Sequence, residues 1–310
     1  LSTNKTHFMF QQFLIKQQEA AEQIQSSSST EVFKEQEYVP MPSEGLFYPG
    51  EKKEILCRKL NFTDEDILTN PSYYNNNTIY SVIINRVIQD PEFTYESLIP
   101  IDRDAILIWL RMAAWGNEYR VPATCPRCGQ GSSILWDLKN ITVSSISDPK
   151  DEELLAEYGF IPYQYDSNSV VGITNPNLGH IKAVDDFCDA LEKKSGVKQI
   201  ATRNLLYFVS HIELKAEEKM LESVEDVYLW FVQKNLSPTK SKEIREIGLR
   251  INIGISVKQD FICKKQLKDG EGQMLWTSDQ KPILCDYKEE GIELPMSINF
   301  FRATIPSTTI

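Results

Sequence analysis

The segment Thr124-Cys125-Pro126-Arg127-Cys128-Gly129 constrains this chain more than any other feature. Two thiols spaced Cys-x-x-Cys on one turn grip one side of a tetrahedral metal, and a second pair must close the other side. A degenerate copy follows around Cys285. Cys125, Cys128, Gly131, Ile134 and Leu138 stand at the same offsets as Cys285, Lys288, Gly291, Leu294 and Ile298. The spacing predicts two halves of a split zinc-ribbon-like β element that meet in space, with Ile134 and Leu294 on equivalent strands. In the second copy Lys288 stands where a ligand would. Cys285 is then the natural third ligand, and the fourth falls to Cys263, or to His180 or His211 if the intervening block folds over. The ion such a set would hold is a structural zinc. The alternative is a ribbon held by apolar packing with leftover thiols.

With 310 residues, 41% hydrophobic and 25% charged, the chain is long enough to bury a substantial core. Lys and Arg total 33 against 44 Asp and Glu, a net charge of -11 that opposes a nucleic acid backbone instead of neutralising it. No stretch approaches the roughly 20 apolar residues that cross a bilayer, and the N-terminus lacks the basic-then-apolar order of a secretory signal. These features read as a soluble protein made in a cytoplasm, with reduced thiols. Cys57, in an expected strand, and Cys188, on the apolar side of an expected helix, are then small buried hydrophobes.

Residues 6–25 place Phe10, Phe13, Leu14, Ala20, Ala21 and Ile24 on one stripe of an amphipathic helix, and Ser26-Ser27-Ser28-Ser29 follows as a flexible linker. A helix detached in this way docks its stripe on another chain or folds back from a distance. From Val39 to Gly50 the Pro and Gly content predicts extended and turn backbone that lays Leu46, Phe47 and Tyr48 across a surface. Thr63-Asp64-Glu65-Asp66 reads as an N-cap, and Ile79–Val87 as a helix stopped before Pro91. Asp102 reads as the cap of a helix ending at Gly116. A short acidic helix at 152–158 and strands at 160–165 and 170–173 precede a block, 183–252, that reads as helical almost throughout. Its helices are expected at 183–195, 198–214, 223–234 and 238–250, before strands return from Gly254. The resulting organisation is an arm and linker (1–37), a mixed region with the first ribbon half (38–182), a helical insertion (183–252) and a β region with the second half (253–310). Ribbon halves on both sides of an insertion pin its ends, which predicts a single closed α+β domain.

Several of these residues, in this order, resemble the baseplate hub proteins of contractile-tailed, T-even-type bacteriophages. They are Pro42-Ser43-Glu44-Gly45-Leu46-Phe47-Tyr48-Pro49, Thr63-Asp64-Glu65-Asp66-Ile67-Leu68, Leu110-Arg111-Met112-Ala113-Ala114-Trp115-Gly116, Cys125-Pro126-Arg127-Cys128-Gly129 and the closing Phe300-Phe301-Arg302. The resemblance covers roughly residues 38–142 and 280–303, leaving out the helical block and the arm. It implies a non-enzymatic structural protein of the tail baseplate, assembled in the host cytoplasm and partnered by other baseplate or tail subunits. The variant of that reading is a hub assembly chaperone absent from the mature particle. Lys288, where such a repeat more often keeps cysteine, stands against a four-thiolate site.

The residues themselves agree with a protein that works by contact. The chain has three histidines, His7, His180 and His211, each isolated in sequence, and no Gly-rich phosphate loop, His-Glu-x-x-His or Gly-x-Ser-x-Gly. This excludes the familiar catalytic kits and gives no small-molecule substrate site. A zinc-ribbon nucleic-acid binder is the third class, but Arg120, Arg127 and Lys139 form no stripe on an acidic chain. The partner-binding candidates are Phe10, Phe13 and Leu14 on the arm and Leu46, Phe47 and Tyr48 in the Pro-Gly segment, since interfaces favour aromatic side chains.

Overall fold

The computed structural model of the chain describes residues 36–48, 50, 52–75, 78–294 and 300–301. The expected arm helix with Phe10, Phe13 and Leu14, and the serine linker, lie outside the described residues. The architecture is α+β, with several small antiparallel sheets and, among the described residues, nine α-helices. Where one closed domain was expected, the chain divides into two compact units. The first comprises the described residues up to Trp109 with Val143–Ile255, the second Leu110–Thr142 with the described residues from Ser256 onward.

In chain order, β1 (Gln36–Pro40) pairs antiparallel with β2 (Glu54–Arg58), placing Tyr38 opposite Leu56. Residues 42–47 of the Pro-Gly segment between them run through consecutive turns, with Glu44 and Gly45 at positive φ. Helix α1 (Phe62–Thr69) starts two residues earlier than the acidic run suggests. Asn61 is the N-cap: its side chain accepts the Asp64 N–H at 3.2 Å, and the Asp64 carboxylate accepts the Asn61 N–H at 2.9 Å. Asn outcompetes Thr63 here because that reciprocal pair satisfies two donors at once. Helices α2 (Pro71–Asn75) and α3 (Ile79–Val87) follow, the latter burying Ile79, Ile83, Ile84 and Val87.

Helix α4 (Pro100–Trp115) begins at Pro100, so Asp102 lies in its first turn and is no cap. Its carboxylate is fully buried and faces the Pro-Gly segment, accepting the Ser43 N–H at 3.1 Å and the Tyr48 hydroxyl at 2.7 Å. Tyr48 in turn accepts the Ile99 N–H at 3.0 Å and meets Phe93 edge-on. After α4 come the hairpin strands β3 (Glu118–Thr124) and β4 (Gly131–Asp137), the short β5 (Ile141–Val143) and α5 (Pro149–Tyr158), capped by Asp148.

Strands β6 (Ile161–Asp166) and β7 (Ser169–Ile173) form as expected, and α6 (Leu178–Ser195) is capped by Asn177 and closed by Gly196. The expected helix over 198–214 is shorter. Only α7 (Ile200–Leu206) is helical, and Val209–Leu214 forms strand β8. The reason is tertiary. β7 is buried along its whole length and needs a partner on each edge, and β8 supplies one, with Val171 opposite Ile212. Pairing with a buried strand overrides local helix propensity. Strand β9 (Lys219–Leu221) completes the sheet β6-β7-β8-β9, and helices α8 (Val224–Gln233) and α9 (Pro238–Ile251) cover it from the Ser223 and Ser237 caps. Val171, Val184, Ile212, Phe231 and Ile244 join one buried cluster in this unit, and each such side chain contributes roughly 1.5–3 kcal/mol.

The second unit holds the β3–β4 hairpin and the sheet in which β10 (Ile255–Ile262) lies between β5 and β11 (Lys288–Glu293). Its aromatic residues pack edge-on, buried Phe300 against buried Tyr119 at 5.2 Å and half-buried Trp115 against buried Phe301 at 6.2 Å between ring centroids. The Arg111 guanidinium lies over the Trp115 and Tyr119 rings at 5.2 and 5.1 Å, a cation–π arrangement.

Candidate metal centre

The β3–β4 hairpin runs in register from Glu118 opposite Asp137 to Thr124 opposite Gly131, and the residues left over at its tip form the first thiol turn. Cys125 N–H donates to the Gln130 carbonyl at 3.1 Å and Gly129 N–H to the Cys125 carbonyl at 2.9 Å. Gly129 takes φ +67, a left-handed conformation that side chains with a Cβ rarely adopt. The turn is tight enough to aim Cys125 and Cys128 the same way.

The other two thiols come from the β10–β11 ladder, which continues past the strand ends. Cys263 N–H donates to the Tyr287 carbonyl at 2.9 Å, and Cys285 N–H to the Lys265 carbonyl at 2.8 Å. Alternation along β10 turns Cys263 to the same buried side as Val257 and Phe261. The four thiols converge: Cys125 Sγ lies 3.8 Å from Cys285 Sγ, Cys128 Sγ lies 3.7 Å from Cys263 Sγ, and all four sulfurs fall within 4.8 Å of one another. A Zn–S bond of about 2.3 Å gives a regular tetrahedron of four sulfurs an edge of about 3.8 Å. The sulfurs therefore have the spacing of four ligands around one ion, well beyond a disulfide bond, and the cluster could hold a metal ion.

Electrostatics favours a cation in the same place. Burial pushes the Cys125 thiol up, but the N–H groups of Cys128 and Arg127 and the neighbouring thiols outweigh it and bring it down to about 7. Burial and the thiols around it push Cys263 up to about 12, despite the Lys265 N–H. The Tyr287 N–H and the Cys263 thiol pull Cys285 down, but burial and the Cys125 and Cys128 thiols together outweigh them and raise it. Once one sulfur ionises, the next pays for like charge in a confined space, and a divalent cation removes that penalty.

The structure thus brings together Cys125, Cys128, Cys263 and Cys285. Lys288 is elsewhere, on β11, where it pairs with Glu290 and Asp260. The matched offsets hold for Cys285, but the remaining thiol arrives across the ladder and not by a second Cys-x-x-Cys turn. Ile134 and Leu294 also fall in different places, Ile134 on β4 and Leu294 just beyond β11, its N–H bonded to the Val257 carbonyl. The histidines offered as fourth ligands have other partners: His180 Nε2 bonds the Leu206 carbonyl at 2.8 Å, and His211 Nδ1 bonds the Ser210 hydroxyl at 2.9 Å. Cys57 and Cys188 are buried free thiols, as expected. Leu46, Phe47 and Tyr48 are half-buried and pack against the chain's own core cluster.

Comparison with protein families then fixes the setting of this centre, because a family described as T4 bacteriophage base plate protein matches residues 41–245. The chain belongs to that family. The match in this base plate protein extends past residue 142, where the first stretch of the motif resemblance stops, into the helical block as far as residue 245, and ends before the closing Phe300-Phe301-Arg302. It contains Cys125 and Cys128 but not Cys263 and Cys285. No curated protein and no solved structure is similar enough to the chain to count as a match.

No described helix is long and apolar enough to cross a membrane. Among the described residues the cysteine cluster is the one group of His, Cys, Asp and Glu side chains with metal-ligand spacing.

Proposed function

We propose that this base plate protein is a structural component of the hub region of a contractile phage tail, that it works through contacts with other baseplate subunits, and that its four thiolates hold one structural zinc in a zinc-ribbon-like element. The observation that carries the reading is the family match across most of the first unit and the first thiol turn. Structural zinc is the metal reading that the donor set favours. Four protein sulfurs fill a tetrahedral ion completely and leave no position for the water or substrate that catalytic zinc needs. Contact is the mode of action that the rest of the sequence favours, with an apolar stripe on Phe10, Phe13 and Leu14 ahead of a serine linker. Leu46, Phe47 and Tyr48 serve the chain's own core first, so the arm is the stronger partner surface of the two.

The variant to be separated is an assembly chaperone that leaves before maturation. Quantitative mass spectrometry of purified mature particles and of tail-assembly intermediates separates the two. Retention in both at a fixed ratio to other baseplate subunits is the expected result. Presence in intermediates alone replaces the structural reading with the chaperone, and absence from both overturns it.

A further inference from the structure

Between Cys263 and Cys285 the chain leaves the β10–β11 ladder as residues 264–284 and returns to it. Leu267 N–H donates to the Ile283 carbonyl at 2.8 Å, Ile283 N–H to the Leu275 carbonyl at 3.1 Å, and Leu275 N–H to the Leu267 carbonyl at 2.9 Å. These three bonds form a closed ring, in which each short extended segment gives one bond to a neighbour and accepts one from the other. The side contacts repeat the same pattern, with Gln266 opposite Leu284, Lys268 opposite Met274 and Trp276 opposite Pro282. Leu267, Leu275 and Ile283 recur at equal spacing, alternate with these residues, and are half-buried.

The outer ends of this three-lobed knob are closed in two different ways. Two lobes are closed by turns of continuous chain, where Asp269 N–H bonds the Gln273 carbonyl at 2.9 Å and Thr277 N–H bonds the Lys281 carbonyl at 2.8 Å. At the equivalent place in the third lobe Cys285 N–H bonds the Lys265 carbonyl, and here the chain enters and leaves instead of turning. That open end is where the thiols of Cys263 and Cys285 meet those of Cys125 and Cys128.

We infer that the ion held by the four thiols acts as the missing third turn: it clamps the entry and exit of residues 264–284 and so keeps the knob folded. The inference rests on the zinc reading above and adds what the ion does. Three half-buried apolar side chains are too small a core to order a segment of this length, and elements of that size depend on a staple. Outer positions at Met274, Trp276 and Leu284 are 47%, 56% and 47% exposed, so among the described residues these large apolar side chains are left to solvent and do not replace the clamp.

The test uses the full chain. Bound zinc is counted by elemental analysis, and limited trypsin digestion is then followed by mass spectrometry with and without prior removal of the metal by a chelator. Lys265 and Lys268, both exposed, report on the knob, and Lys193 and Lys194, at the end of α6, serve as internal controls. Removal of the metal is expected to speed cleavage at Lys265 and Lys268 at least about tenfold with the α6 sites unchanged, because cleavage follows the population of the open segment. Cys263→Ser is expected to reproduce that pattern, and Cys57→Ser to leave it unaltered. One zinc per chain with the same knob cleavage before and after chelation overturns the clamp and leaves the zinc reading standing. Far less than one zinc per chain overturns both.

Discussion

Asp64 offers the sharpest prediction about what holds the first unit together. Its carboxylate is fully buried in the first turn of α1 and accepts hydrogen bonds from Arg58 Nη1 at 2.6 Å, Arg58 Nη2 at 3.1 Å, Arg86 Nε at 2.9 Å and the Asn61 N–H at 2.9 Å. Burial alone would raise its pKa, but the Arg58 and Arg86 guanidinium groups and the Asn61 N–H outweigh it and hold the carboxyl at about 2. A carboxyl depressed from 3.8 to about 2 corresponds to about 2 kcal/mol of stability. The arginines are 19% and 40% exposed, so water shares their charge. Asp64→Asn is therefore expected to cost about 2–3 kcal/mol near neutrality, below what a wholly buried ion pair loses. Because the folded pKa is the lower one, the contribution is complete above the unfolded value and disappears as the pH falls towards 2. Urea unfolding followed by circular dichroism at pH 7, 4 and 2.5 should give a difference between the two chains that is steady from 7 to 4 and then shrinks. Any metal held by the thiols would be released from both chains in that range, so the difference isolates Asp64. A difference that stays constant down to pH 2.5, or one under about 0.5 kcal/mol at pH 7, would refute the account.

Two more substitutions probe the same unit. Asp102 has the opposite sign: burial pushes its carboxyl up to about 6 against the hydrogen bonds from Ser43 and Tyr48, so the fold favours the protonated form and pays about 3 kcal/mol to hold the anion at neutral pH. The wild-type melting temperature should therefore carry a contribution that rises as pH falls from 6 to 4, and Asp102→Asn should remove that rise; parallel melting curves across this range would contradict it. Gly248 sits against Phe208, where an added Cβ would come within 2.2 Å of the ring, so Gly248→Ala should cost about 1–3 kcal/mol. Gly254→Ala, whose nearest neighbour would be Ser144 Oγ at 3.8 Å, is the control and should melt close to wild type.

What the sequence disclosed and what it hid follow from how local each feature is. The cap at Ser237 and the stops at Gly116 and Gly196 are decided within one helical turn, and they were legible. The Cys125–Cys128 turn is equally local. Cys263 is not, because it reaches the site across a ladder whose register no short pattern encodes. Aligning Cys285 with Cys125 therefore put Lys288 in the fourth place and left Cys263 as one candidate beside His180 and His211, with nothing local to choose it; its thiol joins the cluster from the opposite strand. Strand β8 was read as helix for a similar reason, since only the buried neighbour β7 makes it extended. The ion pairs of Asp64 with Arg58 and Arg86 left no signal beyond ordinary charges. The knob did leave one, in the equal spacing of Leu267, Leu275 and Ile283 with Asp-Gly and Ser-Asp turns between them.

The division of the thiols between two parts of the chain bears on how this base plate protein is built. Cys125 and Cys128 fall within the stretch matched to the family, and Cys263 and Cys285 fall beyond its end at residue 245. Two thiolates on one turn satisfy only half of a tetrahedral ion, so any metal chemistry of the first pair would depend on residues outside the matched stretch. Those same residues bound the knob at 264–284. A single ion at this place would therefore tie a turn of the family's shared sequence to the base of an element that lies outside it, beside the hydrogen bond that Gln130 Nε2 gives the Gln266 carbonyl at 2.7 Å, and the stability of the knob would depend on the hairpin β3–β4. The cyclic hydrogen bonds explain why the knob keeps its shape once closed, and the four sulfurs explain where closure is applied.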